Sequence, residues 1–181
     1  MIQEKRSKAQ IAQLEIYTDG ALKKIGAHAT FGGWSFIALR GGERIYEVAG
    51  CEYGTTNQRM ELLAIRNALE FAQKNRHPNE NVIIYSDSAY AINCYIQEWY
   101  TNWQRNGWVR QKNQPIENLD LVKQIWEYCK LEWPNFTVEK IPGHSGLLGN
   151  ELADALANND KTRINNLQKE IEGDVYNGIN L

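Results

Sequence analysis

The spacing of apolar residues predicts that the chain opens with strands. Leu14 to Thr18 alternates apolar and polar residues and then reaches Asp19-Gly20, the pattern of a strand that runs into a turn. Gly32 to Leu39 and Arg44 to Ala49 show strand patterns again, and Gly41-Gly42 between them favours a hairpin. The opening of the chain therefore predicts a three-stranded meander.

The rest of the chain predicts helices separated by two strands. These strands are Val82 to Tyr85, an apolar run that suits burial on both faces, and Phe136 to Ile141. Helical spacing covers Thr56 to about Asn75, Ser88 to Gln97, Glu98 to Asn106, Ile116 to Leu131 and Glu151 to about Asn158. This order predicts an α/β fold in which helices flank a mixed five-stranded sheet.

The length of 181 residues fits one domain, which we place at 14–159. Residues 1–13 form a polar N-terminal extension, and residues 160–181 form a C-terminal extension of unknown role. In the latter, the spacing of Ile164, Leu167 and Ile171 leaves open a docked helix or a frayed tail.

Composition narrows the class of protein. No apolar run approaches the roughly 20 residues that span a bilayer, and Met1 to Gln13 lacks the apolar region of a signal peptide. We therefore expect a soluble, cytoplasmic monomer without a membrane partner. Cys51, Cys94 and Cys129 fit neither a disulfide framework nor a zinc site, and reduced, buried thiols are expected. A net charge of −2 lacks the basic footprint of most nucleic-acid-binding domains.

One carboxylate lies where the helical pattern predicts core. Glu61 falls near the middle of an apolar arc on the first helix, formed by Met60, Ala64, Ile65, Ala68, Leu69, Phe71 and Ala72. A carboxylate that faces the core costs several kcal/mol unless a cation or hydrogen-bond donors satisfy it. Two explanations stay open: a metal ion, or a buried salt bridge to Arg59 or Arg66.

Three further acidic residues lie at the ends of predicted elements. Asp19 and Asp87 each follow an apolar strand, where sites form in α/β sheets, and Asp154 lies in the first turns of a helix. Each also has a structural alternative: a turn residue for Asp19, a helix N-cap for Asp87 and a favourable helix-dipole charge for Asp154. Together with Glu61 they offer only oxygen ligands, which favour hard cations such as Mg²⁺ and hence phosphoryl chemistry.

Four short motifs follow one another in a specific order. They are Tyr17-Thr18-Asp19-Gly20, Thr55 to Glu61, Tyr85-Ser86-Asp87-Ser88, and Gly143-His144 followed by Asn150 to Asp154. Over about Leu14 to Asn159 the chain resembles ribonuclease H of the bacterial type, also found as a domain of reverse transcriptases. The resemblance implies a sheet of three antiparallel strands followed by two parallel ones. It also implies cleavage of the RNA strand of RNA/DNA hybrids with two Mg²⁺ ions, or with Mn²⁺ in their place, to leave 5′-phosphate and 3′-hydroxyl ends.

The resemblance also implies a role for each catalytic residue. Asp19 resembles the aspartate that bridges both metal ions, with Glu61 and Asp87 completing one metal site and Asp154 the other. His144 resembles a histidine on a mobile loop that assists proton transfer or product departure. The alternative for His144 is an exposed loop histidine without a catalytic role.

Substrate contacts are implied in two further segments. Thr56, Asn57 and Gln58 resemble residues that contact phosphate and the minor groove and sense the 2′-hydroxyl, although Thr56 also suits a helix cap. Trp99, Trp103 and Trp108, with Gly107, resemble the substrate-handling protrusion of the family, and Arg105, Arg110 and Lys112 lie in the same segment. No acidic residue occurs from Trp99 to Pro115, which makes this a locally basic segment. For Trp99 and Trp103, four apart on a helix, packing between helices is the favoured role of the rings.

One segment departs from the family pattern. Ala21 to Phe31 is longer than the usual Asn-Pro-Gly-type turn and lacks its asparagine, which puts one minor-groove contact in doubt. Two rival functions stay open: a DNA-directed nuclease or integrase of the same fold, and a catalytically silent hybrid-binding module. Thr56 to Gln58 and His144 argue against the first rival, and the intact acidic set argues against the second.

Overall fold

The computed structural model describes residues 13–25, 29–96, 99–130, 136–143 and 146–178. A five-stranded sheet in the order β3-β2-β1-β4-β5 lies at its centre. The strands are β1 (Gln13–Ile25), β2 (Ala29–Arg40), β3 (Glu43–Tyr53), β4 (Asn81–Ser86) and β5 (Phe136–Lys140). β2 pairs antiparallel with β1 and β3, whereas β4 pairs parallel with β1 and β5. The predicted mixed sheet is therefore confirmed.

Helices pack on both faces of this sheet. In the described part of the chain they are α1 (Asn57–Asn75), α2 (Ala89–Ile96), α3 (Trp99–Arg105), α4 (Leu119–Cys129), α5 (Leu148–Ala157) and α6 (Lys161–Gly178). α1 packs against β1 and β2 and also contacts α4. α5 packs against the same two strands, and its cluster of Ile37, Leu152 and Ile171 is separate from the cluster that includes Leu14 and Leu62. Each face thus has its own core.

The strands of the meander are longer than their sequence pattern predicts. β1 pairs with β2 from Leu14 to Ile25, so the strand passes straight through Asp19-Gly20. The turn predicted at Asp19-Gly20 is therefore wrong. The hairpin at Gly41-Gly42 is present. Both glycines have a positive φ, of 60° and 84°, which glycine adopts readily because it has no side chain.

Two helices begin at different residues from those predicted. α4 begins at Leu119, after Asn118 in a left-handed conformation with φ of 53°. Ile116 is buried but lies outside the helix. Its apolar side chain therefore resembled part of the helical pattern, and the predicted helix began too early. α5 begins at Leu148 and not at Glu151, so Asp154 lies well inside the helix rather than near its start.

The C-terminal segment forms a docked helix. α6 places Ile164, Leu167 and Ile171 against the cluster that contains Leu152, which settles the choice between a docked helix and a frayed tail in favour of the helix. Gln168 Nε2 also donates a hydrogen bond of 2.7 Å to Glu47 Oε1 on β3. α6 therefore joins α5 to the edge of the sheet.

Two expectations about burial need correction. β4 is fully buried on one face only, because Val82 and Ile84 are buried whereas Ile83 is half-buried. All three cysteines are free thiols, but Cys51 is exposed and only Cys94 is fully buried. None of the helices in the described ranges combines the length and apolarity needed to cross a membrane.

A buried ion pair joins the sheet to the end of α1. The Glu80 side chain is fully buried, and its carboxylate accepts hydrogen bonds from Arg40 Nε at 2.6 Å and from the backbone N–H of His77 at 2.8 Å. Arg40 also donates to the carbonyl of Asn75 at 3.0 Å. Burial raises the pKa of Glu80, but the hydrogen bonds from Arg40 and His77 outweigh it and leave the pKa below its ordinary value.

We expect Glu80→Gln to lower the free energy of unfolding by about 2 kcal/mol, because it leaves Arg40 without its buried counter-charge. Since the folded-state pKa is lowered from 4.5, this difference should be complete above pH 4.5 and shrink as the pH falls through the folded-state pKa. Urea unfolding at several pH values measures it. The control is Glu70→Gln, which removes a more exposed carboxylate paired with Lys74 and should cost less than about 1 kcal/mol. Equal losses in the two variants would contradict the prediction.

Candidate active site

The register of the parallel strands aligns the first two predicted carboxylates. The pairing of β1 with β4 ends at Thr18 and Ser86, so Asp19 and Asp87 are the first residues beyond it on neighbouring strands. Thr18 Oγ1 donates to the carbonyl of Tyr85 at 3.0 Å and secures this end of the pairing. The structure therefore brings Asp19 and Asp87 to the same edge of the sheet.

A close backbone contact brings the third carboxylate to this edge. A Cβ added to Gly20 would lie 2.3 Å from the backbone nitrogen of Glu61, which shows that α1 crosses β1 directly at this glycine. Only a residue without a side chain permits this approach. Glu61 is thereby fixed beside Asp19 by the backbone.

Neither of the predicted salt bridges is the partner of Glu61. Its Oε1 accepts a hydrogen bond from Asn57 Nδ2 at 2.6 Å, and its Oε2 accepts one from Ser88 Oγ at 2.5 Å. Arg59 pairs with Glu52 and Asp120, and Arg66 pairs with Glu70. The salt-bridge explanation is therefore wrong.

Asp87 is not the N-cap of the helix that follows it. The cap is Ser88, whose Oγ accepts from the backbone N–H of Ala91 at 3.3 Å. Asp87 instead points towards the loop after β5, where a Cβ on Gly143 would lie 2.9 Å from its Oδ2. The side chain of Asp87 therefore lies at the same edge of the sheet as Asp19.

Tight packing of α5 positions the fourth carboxylate. Ser35 Oγ donates to the carbonyl of Ala153 at 2.5 Å, and a Cβ on Gly33 would lie 1.9 Å from the carbonyl oxygen of Ala157. A Cβ on Gly149 would likewise clash with the ring of Tyr17. These contacts press α5 against β1 and β2 and fix Asp154 on the side that faces Asp19.

The four carboxylates are close enough to repel one another. Burial, with the negative charges of Asp87, Asp154 and Glu61, raises the pKa of Asp19 to about 7, and a backbone hydrogen bond from Gly20 opposes this shift. Burial also raises the pKa of Glu61, although the hydrogen bond from Ser88 opposes the shift. A divalent cation among these groups would offset both the cost of burying their negative charges and the repulsion between them.

The donor set fits a hard divalent cation, since all of its ligands are carboxylate oxygens. Among the described residues, however, no three His, Cys, Asp or Glu side chains are arranged closely enough to hold a metal ion. The oxygens of Glu61 face Asn57 and Ser88, and those of Asp154 face Asn158 and Arg163. Both side chains would have to turn for the set to close around an ion.

The predicted substrate residues at the start of α1 lie beside this site. Thr56 is the N-cap of α1, since its side chain accepts from Arg59 N at 3.2 Å, which bears out the capping alternative. Asn57 is exposed and holds Glu61, while Gln58 is half-buried. His144 lies outside the described residues.

The predicted protrusion combines packed rings with exposed charge. Trp99 and Trp103 lie with ring centroids 5.9 Å apart and pack against the core, and Lys123 Nζ lies 5.3 Å from the ring centroid of Trp108. An open cavity of about 740 Å³ is lined by Tyr90, Trp99, Asn102, Trp103, Asn106, Val109, Arg110 and Gln114. Arg105 and Lys112 are exposed, so charge and aromatic surface occur side by side.

The sequence patterns missed the side chains that hold the carboxylates. Ser88 holds Glu61, while Asn158 and Arg163 hold Asp154. The spacing of Asn158, four residues after Asp154 on a helix, could have indicated its contact. Arg163 lies on another helix, and no local spacing indicates its contact.

Similarity to known proteins agrees with this geometry. The family model described as RNase H matches residues 12–162. The chain is 42% identical over 147 residues to a ribonuclease H of Syntrophomonas wolfei, a match that covers 81% of this chain and 94% of the relative. It is 39% identical over 145 residues to a ribonuclease H of Symbiobacterium thermophilum, covering 78% and 90%.

Solved structures share the fold at lower identity. The solution structure of a prototype foamy virus RNase H domain has a TM-score of 0.68 at 24% identity and covers 82% of this chain and 93% of that one. LC9-RNase H1, a type 1 RNase H with the type 2 active-site motif, has a TM-score of 0.64 at 24% identity, covering 84% and 74%. With the family model spanning most of the sequence, the chain belongs to the ribonuclease H family of enzymes.

Proposed function

We propose that this ribonuclease H hydrolyses the RNA strand of RNA/DNA hybrids with two Mg²⁺ ions, and that Mn²⁺ can replace them. The observation that carries the proposal is the convergence of Asp19, Glu61, Asp87 and Asp154 at one edge of the sheet, where their repulsion demands cations. Curated relatives at about 40% identity carry the name ribonuclease H. A foamy viral reverse transcriptase whose structure was solved with an RNA/DNA hybrid shares the fold.

Each of the four carboxylates has a place in the proposed mechanism. Asp19, which is affected by the charges of the other three, would help to hold both ions, Glu61 and Asp87 would help to hold one of them, and Asp154 would help to hold the other. When bound, the ions would activate a water molecule and stabilise the leaving oxygen of the phosphodiester. Addition of the water to phosphorus would break the bond to the 3′-oxygen, which would take up a proton, and this would leave 5′-phosphate and 3′-hydroxyl ends.

Other residues hold the site and the substrate. Asn57 and Ser88 hold the two oxygens of Glu61 through hydrogen bonds, and Glu61 would exchange these bonds for an ion as its side chain turns. Thr56, Asn57 and Gln58 lie at the start of α1, where they would contact the phosphates and minor groove of the hybrid and sense the 2′-hydroxyl. His144 would assist proton transfer or the departure of the product.

We further propose that residues 14–159 form the catalytic domain and that the enzyme acts in the cytoplasm. The family model covers nearly this range. The C-terminal extension would also take part in the site, because Arg163 on α6 contacts Asp154.

We expect Asp19→Asn to lower Mg²⁺-dependent cleavage of the hybrid by more than about a hundredfold. Loss of a partner that only supports a metal ligand already costs about 10- to 100-fold, and loss of the bridging ligand should cost more. Initial rates on an RNA/DNA hybrid, double-stranded RNA and double-stranded DNA, each with Mg²⁺ or chelator, measure it. The control is Glu43→Gln, which neutralises an exposed carboxylate on β3. Full activity in Asp19→Asn, or cleavage of double-stranded DNA by the wild type, would refute the proposal.

We expect hybrid binding to depend only modestly on salt. The protrusion has just three basic residues, Arg105, Arg110 and Lys112, so a plot of log affinity against log salt should have a slope of about −3. Fluorescence anisotropy with a labelled hybrid in chelator measures it. Lys112→Gln should reduce the slope by about 1, because it removes one phosphate contact. Lys74→Gln, on the last turn of α1, should leave the slope unchanged. A wild-type slope steeper than about −5 would contradict this distribution of charge.

A further inference from the structure

An arginine of the C-terminal helix contacts one of the four carboxylates. Arg163 Nη1 pairs with Asp154 Oδ2, and its Nη2 pairs with Glu151 Oε2. Asn158 Nδ2 donates to the other oxygen of Asp154 at 2.8 Å. Both oxygens of Asp154 are therefore engaged by donors from the C-terminal side of the protein.

Docking of α6 fixes the place of this arginine. Asp160 precedes the first residue of α6, and its side chain caps the helix by accepting a hydrogen bond of 3.1 Å from the backbone N–H of Arg163. Ile164 and Ile171 pack against the cluster beneath α5. The contact therefore follows from the same burial that holds α6 to the protein, and not from a loose surface side chain.

Glu151 gives the guanidinium a second acceptor. It also accepts from the backbone N–H of Gly146 at 3.3 Å, so the bridge reaches the loop that precedes α5. Arg163 can thus stay paired with Glu151 when Asp154 turns towards another cation. The planar fork of arginine suits this double contact, and its charge is permanent.

We propose that Arg163 is a positioning residue that competes with a divalent cation for the carboxylate of Asp154. The inference rests on the proposed function, which makes Asp154 a metal ligand. A guanidinium and a metal ion repel each other and use the same oxygen, so the ion binds only as Asp154 leaves Arg163. The docked helix α6 thereby sets the affinity of this metal position. Arg163 is the first residue after the segment that matches the family model, and it lies on α6.

The test is a calorimetric titration of Mn²⁺ into the full chain, without nucleic acid. We expect Arg163→Gln to bind Mn²⁺ about two- to fivefold more tightly than the wild type, the range expected for a partly exposed ion pair. The matched control is Lys169→Gln, which removes the same charge from an exposed position on the same helix and should leave the affinity unchanged. Equal affinity of wild type and Arg163→Gln overturns the proposal, as does weaker binding by the variant.

Two further variants keep the result decisive. If Arg163→Gln does not fold, Arg163→Lys takes its place, because a single ammonium cannot bridge Asp154 and Glu151. It should bind Mn²⁺ more tightly than the wild type by a smaller factor, and unchanged affinity overturns the proposal. Asp154→Asn should bind Mn²⁺ more weakly. If it binds as tightly as the wild type, Asp154 is not a ligand, and the proposed function fails at that residue and the inference with it.

A second experiment follows the effect of Mn²⁺ on α6 and does not require the affinity for Mn²⁺ to be measured. Because coupling between two binding events acts equally in both directions, Mn²⁺ should loosen the contact of Arg163 with Asp154. Amide hydrogen exchange at the start of α6 should therefore become faster when Mn²⁺ is added to the wild type. In Arg163→Gln the addition should change nothing there. Exchange that is unaffected by Mn²⁺ in the wild type overturns the proposal.

Discussion

The repulsion among four carboxylates at one edge of the sheet is the constraint on which this structure depends. The pKa of Asp19 reaches about 7 because the residue is buried beside Asp87, Asp154 and Glu61. A shift of this size corresponds to about 4 kcal/mol of unfavourable interaction for the charged form. The rest of the fold must supply enough stability to hold such a group, and does so through two cores, one on each face of the sheet.

Backbone contacts, rather than side-chain attraction, hold these groups together. Gly20 lets α1 approach β1, Gly33 lets α5 approach β2, and the β1–β4 register sets Asp19 beside Asp87. A side chain larger than that of glycine would disrupt the contacts at Gly20 and Gly33, because the neighbouring backbone in a close-packed interior cannot move far enough to make room. Charges that repel can therefore be held near one another without pairing. The side chains then take up nearby donors, as Glu61 does with Asn57 and Ser88.

Much of this arrangement was predictable from the sequence, and the failures have physical causes. Glu61 stood out because a charge interrupted an apolar arc, and Asp19 and Asp87 because they followed apolar runs. The continuation of β1 through Asp19-Gly20 was not predictable, because it depends on pairing with β2 rather than on local propensity. The early start of α5 was hidden because Gly149 favours a loop locally, whereas the structure needs it for contact with Tyr17.

The C-terminal helix shows how an extension can change a site without altering its ligands. Asp154 lies near three other carboxylates, and the guanidinium of Arg163 pairs with one of its oxygens. The same cation opposes a metal ion on the same oxygen, so neutralisation and competition are two results of one contact. Because Glu151 shares the guanidinium, loss of Asp154 as a partner does not leave Arg163 unpaired. In the proposed mechanism, Asp154 would therefore leave Arg163 for a metal ion at a low energetic cost, and the helix would adjust metal affinity rather than block the site.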